Sequence, residues 1–433
     1  MPPAQPLIAR PGGKLTGTVR VPGDNSMSHR ALMLGALAVG RTSIRGLLDG
    51  ADVRATAAAV RALGATVIRH DDGLWTVDGV GVGGLMEPAR VLDLGNSGTG
   101  ACLLIGLVAT HPLTAIFTGD ASLVRRPMAR VIQPLDMMGA QFTGRRGGLL
   151  PLAVTGATLP MPIDYRLPVA SAQVKSAILL AALNTPGTTA VVEPHPTRDH
   201  TERMLRNFGA RVTVEAGRIE IEGQPELTPA ALDLPADPSS AAFPLVAALI
   251  LEGSDITLPN VGLNLLRTAL FATLLEMGAR IDILNPCDSG GEPVGDLRVR
   301  ASRLTGVTVP GERAPNLIDD YPILAVAAAL ASGVTVLPGV GQIAPIAQGL
   351  AACGVQVAVD GDTLTVHGAG GPVPGGARIL ADPDPRIAMA FLVLGLAARA
   401  PVAVGDAATI ETSFPDFAGL MRGLGADISA GTI

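Results

Sequence analysis

A short phrase recurs six times along the 433-residue chain: an apolar helical stretch, a glycine followed by Ala or Val, then a short alternating run. The copies are RALGATVI at Gly64, DMMGAQFT at Gly139, RNFGARVTV at Gly209, LEMGARIDI at Gly278, AACGVQVAV at Gly354 and RGLGADISA at Gly425. Their spacing of roughly 70 residues is longer than the usual solenoid periods. A glycine in that setting lets a helix end on a left-handed residue before the chain turns into a strand. The chain therefore reads as six copies of one α/β unit. Its function must come from side chains grafted onto that scaffold.

Composition narrows the choice of function. Hydrophobic residues make up 48% of the chain, which raises the question of a membrane. The longest apolar runs, such as IAMAFLVLGLAA after Arg386, are too short to cross one and read as buried helices. No signal sequence is read ahead of Lys14, and Cys102, Cys287 and Cys353 have neither metal spacing nor a disulfide framework, so a reducing cytoplasm is expected. A net charge of −6 and 3% aromatics argue against nucleic acid as a partner. Lys14 and Lys175 are the only lysines, so any role needing an ammonium falls on those two. Two proline-marked connections, TVRVPGDNS around Pro22 and LDLPADPSS around Pro235, divide the repeats three and three. The stretch GGEPVG near Glu292 reads as a flexible surface loop.

The helix starts carry the chemistry. NSGTG, with Asn96 and Gly98, opens an apolar helix and reads either as a plain N-cap or as an anion site on exposed N–H groups. SAQVKSAILL repeats the design, with Ser171 able to cap and Ala172 and Gln173 in the first turn. TRDHTERML places Arg198 at a helix start, where a cation opposes the helix dipole and an anionic ligand would explain it. GDNSMSHRAL contributes Asn25, Ser26 and Arg30; RRPMARV contributes Arg126; DPRIAMAF contributes Arg386. Six such starts suggest a cleft for a multiply anionic small molecule. Asp319 and Asp320 before an apolar helix, with Asp237 and Asp384, read either as acidic residues favouring helix N-termini or as a general base among positive groups. His29, His195 and His200 have no metal or triad spacing and read as structural.

With these motifs in view, the chain resembles the 5-enolpyruvylshikimate-3-phosphate (EPSP) synthase family, in its glyphosate-insensitive bacterial class. The matching segments run nearly end to end: VPGDNSMSHRAL, LGNSGTG, GDASLVRRPMARV, LPVASAQVKSAILLAALNTPG, EPHPTRDHTERML, DPSSAAFPLVAALI, APNLIDDYPILAVAAA, RIAMAFLVLGLA and TSFPDF. The resemblance implies a two-domain inside-out α/β barrel of six similar units that closes over shikimate 3-phosphate and phosphoenolpyruvate. The expected domains are 22–235 and 236–433, the latter taking in residues 1–21. By resemblance, Ser26 and Arg30 hold the shikimate ring and carboxylate, and Ser171, Ala172, Gln173 and Arg198 the 3-phosphate and its neighbours. Asp319 meets the reacting hydroxyl. Arg126 and Arg386 match phosphoenolpyruvate ligands, with Asn96 and Gly98 completing a second anion site. No metal or organic cofactor, nucleic acid or membrane is implied.

The departures are equally specific. Asn25 replaces a lysine of the family's GDKS, Cys102 an arginine, and Pro385 the histidine of its DHR. After Gly339 the chain runs PGVGQIAPIAQGLAACG, where the family has a longer loop containing Lys-Glu-Ser-Asp-Arg. Each charge-assisted hydrogen bond contributes about 1.5–3 kcal/mol, so losing three costs roughly 4–9 kcal/mol. On that arithmetic the chain is expected to act on shikimate 3-phosphate, or a close anionic cyclohexene carboxylate, without phosphoenolpyruvate. It would eliminate phosphate as a carbon–oxygen lyase in aromatic or secondary-metabolite biosynthesis. Asp319 is the first choice of base, with Asp237 and Asp384 in reserve. The alternatives are a 3-phosphoshikimate 1-carboxyvinyltransferase of reduced or altered activity, and a noncatalytic ligand-binding protein.

Overall fold

All six repeated glycines end a helix in the left-handed region, with φ between +79° and +110°. The computed structural model describes residues 6–341, 343–380, 384–405 and 407–431. In every copy the glycine N–H bonds to the carbonyl three residues back, and the next N–H to the carbonyl five before it. Gly64 thus bonds to Arg61 and Ala65 to Val60, and Gly425 to Arg422 and Ala426 to Met421. The second of these bonds is the one that marks a Schellman end, and it satisfies carbonyls that the helix itself leaves open. Arg61, Arg206 and Arg422 also reach across their turns to donate to the carbonyls of Val67, Val212 and Ile428. The recurring phrase is therefore six times one backbone motif.

Each copy contains a second helix, and the two helices differ. Asn25–Leu37, Gly98–Val108 and Ala172–Ala182 are buried almost all round, as are Pro238–Ile250, Tyr321–Leu330 and Pro385–Leu396. The helices that end at the repeated glycines bury one face only, as in Ala51–Ala62 and His200–Asn207. A helix apolar on every side belongs inside, and one with an apolar stripe belongs at a surface. In each half of the chain the three fully buried helices pack against one another. Gly106 permits one close approach: a Cβ there would lie 2.4 Å from the carbonyl oxygen of Ala177. Fully buried leucines such as Leu32, Leu103 and Leu179 contribute about 1.5–3 kcal/mol each.

Among the described residues the strands form six sheets, three per half. The sheet order 231–233, 39–45, 75–80, 66–69 recurs in form as 92–93, 114–118, 149–155, 141–145 and as 164–166, 188–192, 218–222, 212–215. In each, a short edge strand pairs parallel and the other three pair antiparallel. In each unit, buried helices inside and sheets outside give three repeats of the inside-out α/β arrangement that the resemblance implied.

By contacts the chain divides into two compact units. The C-terminal unit comprises the described residues of Met1–Pro22, Pro235–Asp288 and Pro293–Ile433; the N-terminal unit comprises Gly23–Leu234 and Ser289–Glu292. Leu7–Ala9 pairs antiparallel with Val402–Val404 and Ile428–Ala430, and Thr16–Thr18 parallel with Asp255–Gly262, so the chain start completes two sheets of the C-terminal unit. The stretch around Glu292 is not the surface loop expected from its glycines. Only Gly290 and Gly291 form a turn, between strands Arg280–Ser289 and Glu292–Arg300. Glu292 is buried and accepts from His200 Nδ1 at 2.7 Å. The four residues Ser289–Glu292 group with the N-terminal unit rather than with the 236–433 span in which the sequence placed them. Among the described residues, no helix is long and apolar enough to cross a membrane.

Candidate active site

In the N-terminal unit each buried helix begins at a polar cap. Asp24 accepts from Met27 N at 2.8 Å, Ser97 from Gly100 N at 3.0 Å and Ser171 from Val174 N at 3.4 Å. These caps occupy some of the exposed N–H groups and set the angle at which the next residues leave the helix. Asn25 and Ser26 follow the first cap, both half-buried. One turn on, the buried Arg30 donates through Nε to Thr201 Oγ1 (2.6 Å), through Nη1 to the Ser26 carbonyl (2.8 Å) and through Nη2 to Ser176 Oγ (2.7 Å). Three protein acceptors thus fix the guanidinium expected to meet the substrate carboxylate. His29 beside it is fully buried, with Nδ1 2.8 Å from Thr56 Oγ1. Burial first, then the Arg30 charge, lower its pKa to about 3 against the pull of Asp24, so it is neutral and structural.

Asn96, Gly98 and Arg126 come together. Arg126 Nη2 donates to Asn96 Oδ1 at 2.6 Å and to Ser122 Oγ at 3.2 Å, and a Cβ on Gly98 would lie 3.0 Å from Arg126 Nη1. Asn96 Nδ2 donates to Asp120 at 3.0 Å. The turn is therefore both a cap, through Ser97, and the seat of an exposed guanidinium against a helix N-terminus. Cys102, on the same helix where the family carries arginine, is buried between Met128 and Gln173, with Sγ 3.9 Å from Met128 Sδ and from Gln173 Oε1. Burial holds its thiol at about 11, against the nearby Arg130 and Arg126, so it is protonated and carries no charge.

Ser171, Ala172 and Gln173 open the third buried helix, half-buried, and Gln173 Nε2 donates to Thr99 Oγ1 at 3.4 Å. Arg198 precedes the helix His200–Asn207. Beneath them lies a cluster that the sequence did not reveal. Lys175 is fully buried and pairs with Glu202 at 2.7 Å and Glu193 at 3.1 Å. Burial raises the Glu202 pKa, with Lys175 opposing. Ser176, the next residue, accepts from both Arg30 and Thr201. One of the two lysines is thus held within the unit by two carboxylates.

The C-terminal unit holds the carboxylates. Asp319 Oδ1 lies 3.1 Å from Arg386 Nη2, and its Oδ2 lies 3.9 Å from Arg267 Nη1. Asp319 is the foremost influence that strengthens Arg386's hold on its proton. Arg267 is buried and also meets Asp237 at 3.0 Å. Asp237 caps the helix Pro238–Ile250 through Ser239 N at 2.8 Å, and Asp384 caps Pro385–Leu396 through Arg386 N at 2.8 Å. Both reserve carboxylates are thus engaged as helix caps, whereas Asp319 faces the guanidinium groups of Arg386 and Arg267. Arg386 is grouped here by sequence with Asn96, Gly98 and Arg126, but it belongs to a different unit from those three. Pro385 stands at the first position of its helix, where no donor N–H is required. The connection from strand Ser332–Leu337 to helix Ile343–Ala352 is short, and Val340 N closes it onto the Asp362 carbonyl at 2.9 Å. Arg267 had no signal in the sequence, being a lone arginine in an apolar stretch.

The EPSP synthase (3-phosphoshikimate 1-carboxyvinyltransferase) family model matches residues 9–421. The chain belongs to the EPSP synthase family. It is 62% identical to a 3-phosphoshikimate 1-carboxyvinyltransferase of Paramagnetospirillum magneticum, over 98% of each chain. It is 59% identical to the protein of that name from Rhodospirillum rubrum, over 99% of this chain and 98% of that one. Its fold matches the EPSP synthase of Acinetobacter baumannii with a TM-score of 0.90 at 41% identity, covering 99% of this chain and all of the other. These findings overturn the expectation of a phosphate-eliminating lyase, and nothing in them supports a secondary-metabolite role. The lost cations sit at a handful of positions, whereas the likeness to EPSP synthase family members named as transferases spans both units.

Proposed function

We propose that the chain is a 3-phosphoshikimate 1-carboxyvinyltransferase. It moves the 1-carboxyvinyl group of phosphoenolpyruvate to the hydroxyl of shikimate 3-phosphate and releases inorganic phosphate. The observation that carries this reading is identity of 55–62% over nearly the whole chain to eight relatives of that name. In this reading Ser171, Gln173 and Arg198 take the 3-phosphate, Ser26 and Arg30 the ring and its carboxylate, and Asp319 the hydroxyl proton. Arg126, backed by Asn96, and Arg386 take the anionic groups of phosphoenolpyruvate. The finer part of the proposal is that this EPSP synthase family member holds phosphoenolpyruvate weakly. Asn25, Cys102, Pro385 and the uncharged run after Gly339 leave fewer cations for it.

The test is incubation with shikimate 3-phosphate, with and without phosphoenolpyruvate, followed by phosphate assay and mass spectrometry. Phosphate and an enolpyruvyl product are expected only when both substrates are present. Phosphate release from shikimate 3-phosphate alone, or no product with both, overturns the proposal.

A further inference from the structure

Lys175 lies on the buried side of the helix whose first turn presents Ser171 and Gln173. Its Nζ meets Glu202 at 2.7 Å, Glu193 at 3.1 Å and the Thr197 carbonyl at 3.3 Å. Glu193 in turn accepts from Thr197 through its hydroxyl (2.7 Å) and its N–H (3.2 Å). Arg198 is the next residue after Thr197, and Glu202 lies in the first turn of the helix that follows it. Both directions of chain leaving Arg198 are therefore tied to one ammonium. The helix start offers no substitute, since Asp199 makes no side-chain cap and places its carboxylate 2.7 Å from Arg203 Nε.

Burying one lysine with two glutamates is a poor way to gain stability. Desolvation costs several kcal/mol per ion, and apolar residues of similar size serve as well or better. What such a cluster supplies is direction: a buried network with few alternative arrangements holds its members in one geometry. Ser176 completes the arrangement on the next residue, accepting from Arg30 and from Thr201, the neighbour of Glu202. Two cations expected to face substrate are thereby referenced to adjacent positions of one helix.

We propose that Lys175 is a positioning residue for shikimate 3-phosphate: through Glu193, Thr197 and Glu202 it sets the orientation of Arg198. This rests on the assignment of Arg198 to the 3-phosphate in the function proposed above. The test is calorimetric binding of shikimate 3-phosphate to the full chain without phosphoenolpyruvate, in wild type, Lys175→Met, Lys175→Arg, Glu193→Gln, Arg198→Ala and the double variants. Lys175→Met and Glu193→Gln should each weaken binding by roughly tenfold or more. In the Arg198→Ala background the same changes should alter affinity by less than about twofold, because they act through a side chain no longer present. Lys175→Arg should retain much of the affinity. In steady-state assays the KM for shikimate 3-phosphate should rise while that for phosphoenolpyruvate stays put. Should Lys175→Met fail to fold, Glu193→Gln, which keeps the volume, carries the cycle alone. Wild-type affinity in Glu193→Gln, or effects that add in full to Arg198→Ala, would overturn the inference and leave the proposed function standing. A wild type that does not bind shikimate 3-phosphate would remove both.

Discussion

Residues 193–199 and the described residues of 338–342 occupy the same place in two copies of the repeat, linking a sheet strand to the helix that ends at the repeated glycine. The first reads EPHPTRD and carries Glu193, Arg198 and Asp199; the second reads PGVGQ, and no charged residue occurs anywhere between Asp320 and Asp360. The first is braced from below by a buried lysine. Among the described residues, the second is closed by Val340 N to the Asp362 carbonyl and the Tyr321 hydroxyl to the Pro338 carbonyl. The repeat therefore guarantees a helix start but not a ligand. The first connection carries charged side chains above a buried ion cluster, and the second carries none. Under the proposed function, the difference predicts tighter binding of shikimate 3-phosphate than of phosphoenolpyruvate.

The largest effect should follow from Asp319, the carboxylate of the C-terminal unit that pairs with Arg386 and Arg267. Asp319→Asn should lower the transfer rate by about 10²–10⁴-fold, the range for a lost general base. The calorimetric affinity for shikimate 3-phosphate should hardly change. Near-normal turnover would move the base elsewhere and erase the functional contrast between the connections.

Acid should separate the two units next. His29, in the N-terminal unit, has its pKa lowered from 6.5 to about 3, mainly by burial. The unfolded chain therefore takes up this proton first. The stability that depends on neutral His29 is complete above 6.5 and is lost as pH falls from 6.5 toward 3. The span corresponds to roughly 4–5 kcal/mol. Denaturant titrations from pH 7 to 4 should show about 3 kcal/mol of that loss, and His29→Gln should flatten it. An unchanged slope in the variant would assign acid sensitivity to other groups.

A smaller effect sharpens the contrast between ligands. Arg198→Ala should weaken shikimate 3-phosphate binding by about 1.5–3 kcal/mol. Arg126→Ala should instead raise the KM for phosphoenolpyruvate and leave that binding alone. Equal responses of both ligands to both variants would show that the two anion sites are not separate. The smallest effect belongs to Pro385→His, which exchanges a residue suited to the first helical position. Its melting transition should fall by no more than the equivalent of about 1 kcal/mol.

Much of this was legible in the chain because it depends on residues close together in sequence. The six Schellman ends follow from a glycine placed between a helix and a strand, and the caps at Ser97 and Ser171 from a hydroxyl three residues before a free N–H. The grouping of Asn96 with Arg126 was visible only as resemblance, since 30 residues separate them. The ambiguity at Asp237 and Asp384 could not be resolved from sequence, because a capping carboxylate and a catalytic one look alike until their partners are seen. The lyase expectation failed differently: charges lost at a few positions do not outweigh likeness over the rest of the chain.

By itself the sequence determined the repeat, its helix ends and the residue types available to meet an anion, because local backbone geometry and hydrophobic period are written in neighbouring positions. Only the tertiary structure decided which charges are occupied. Lys175 and Arg267 look in sequence like any other cations, yet both are buried against carboxylates distant in the chain. An ion pair depends on which side chains the fold brings within about 4 Å, and burial sets how strongly each charge is felt there.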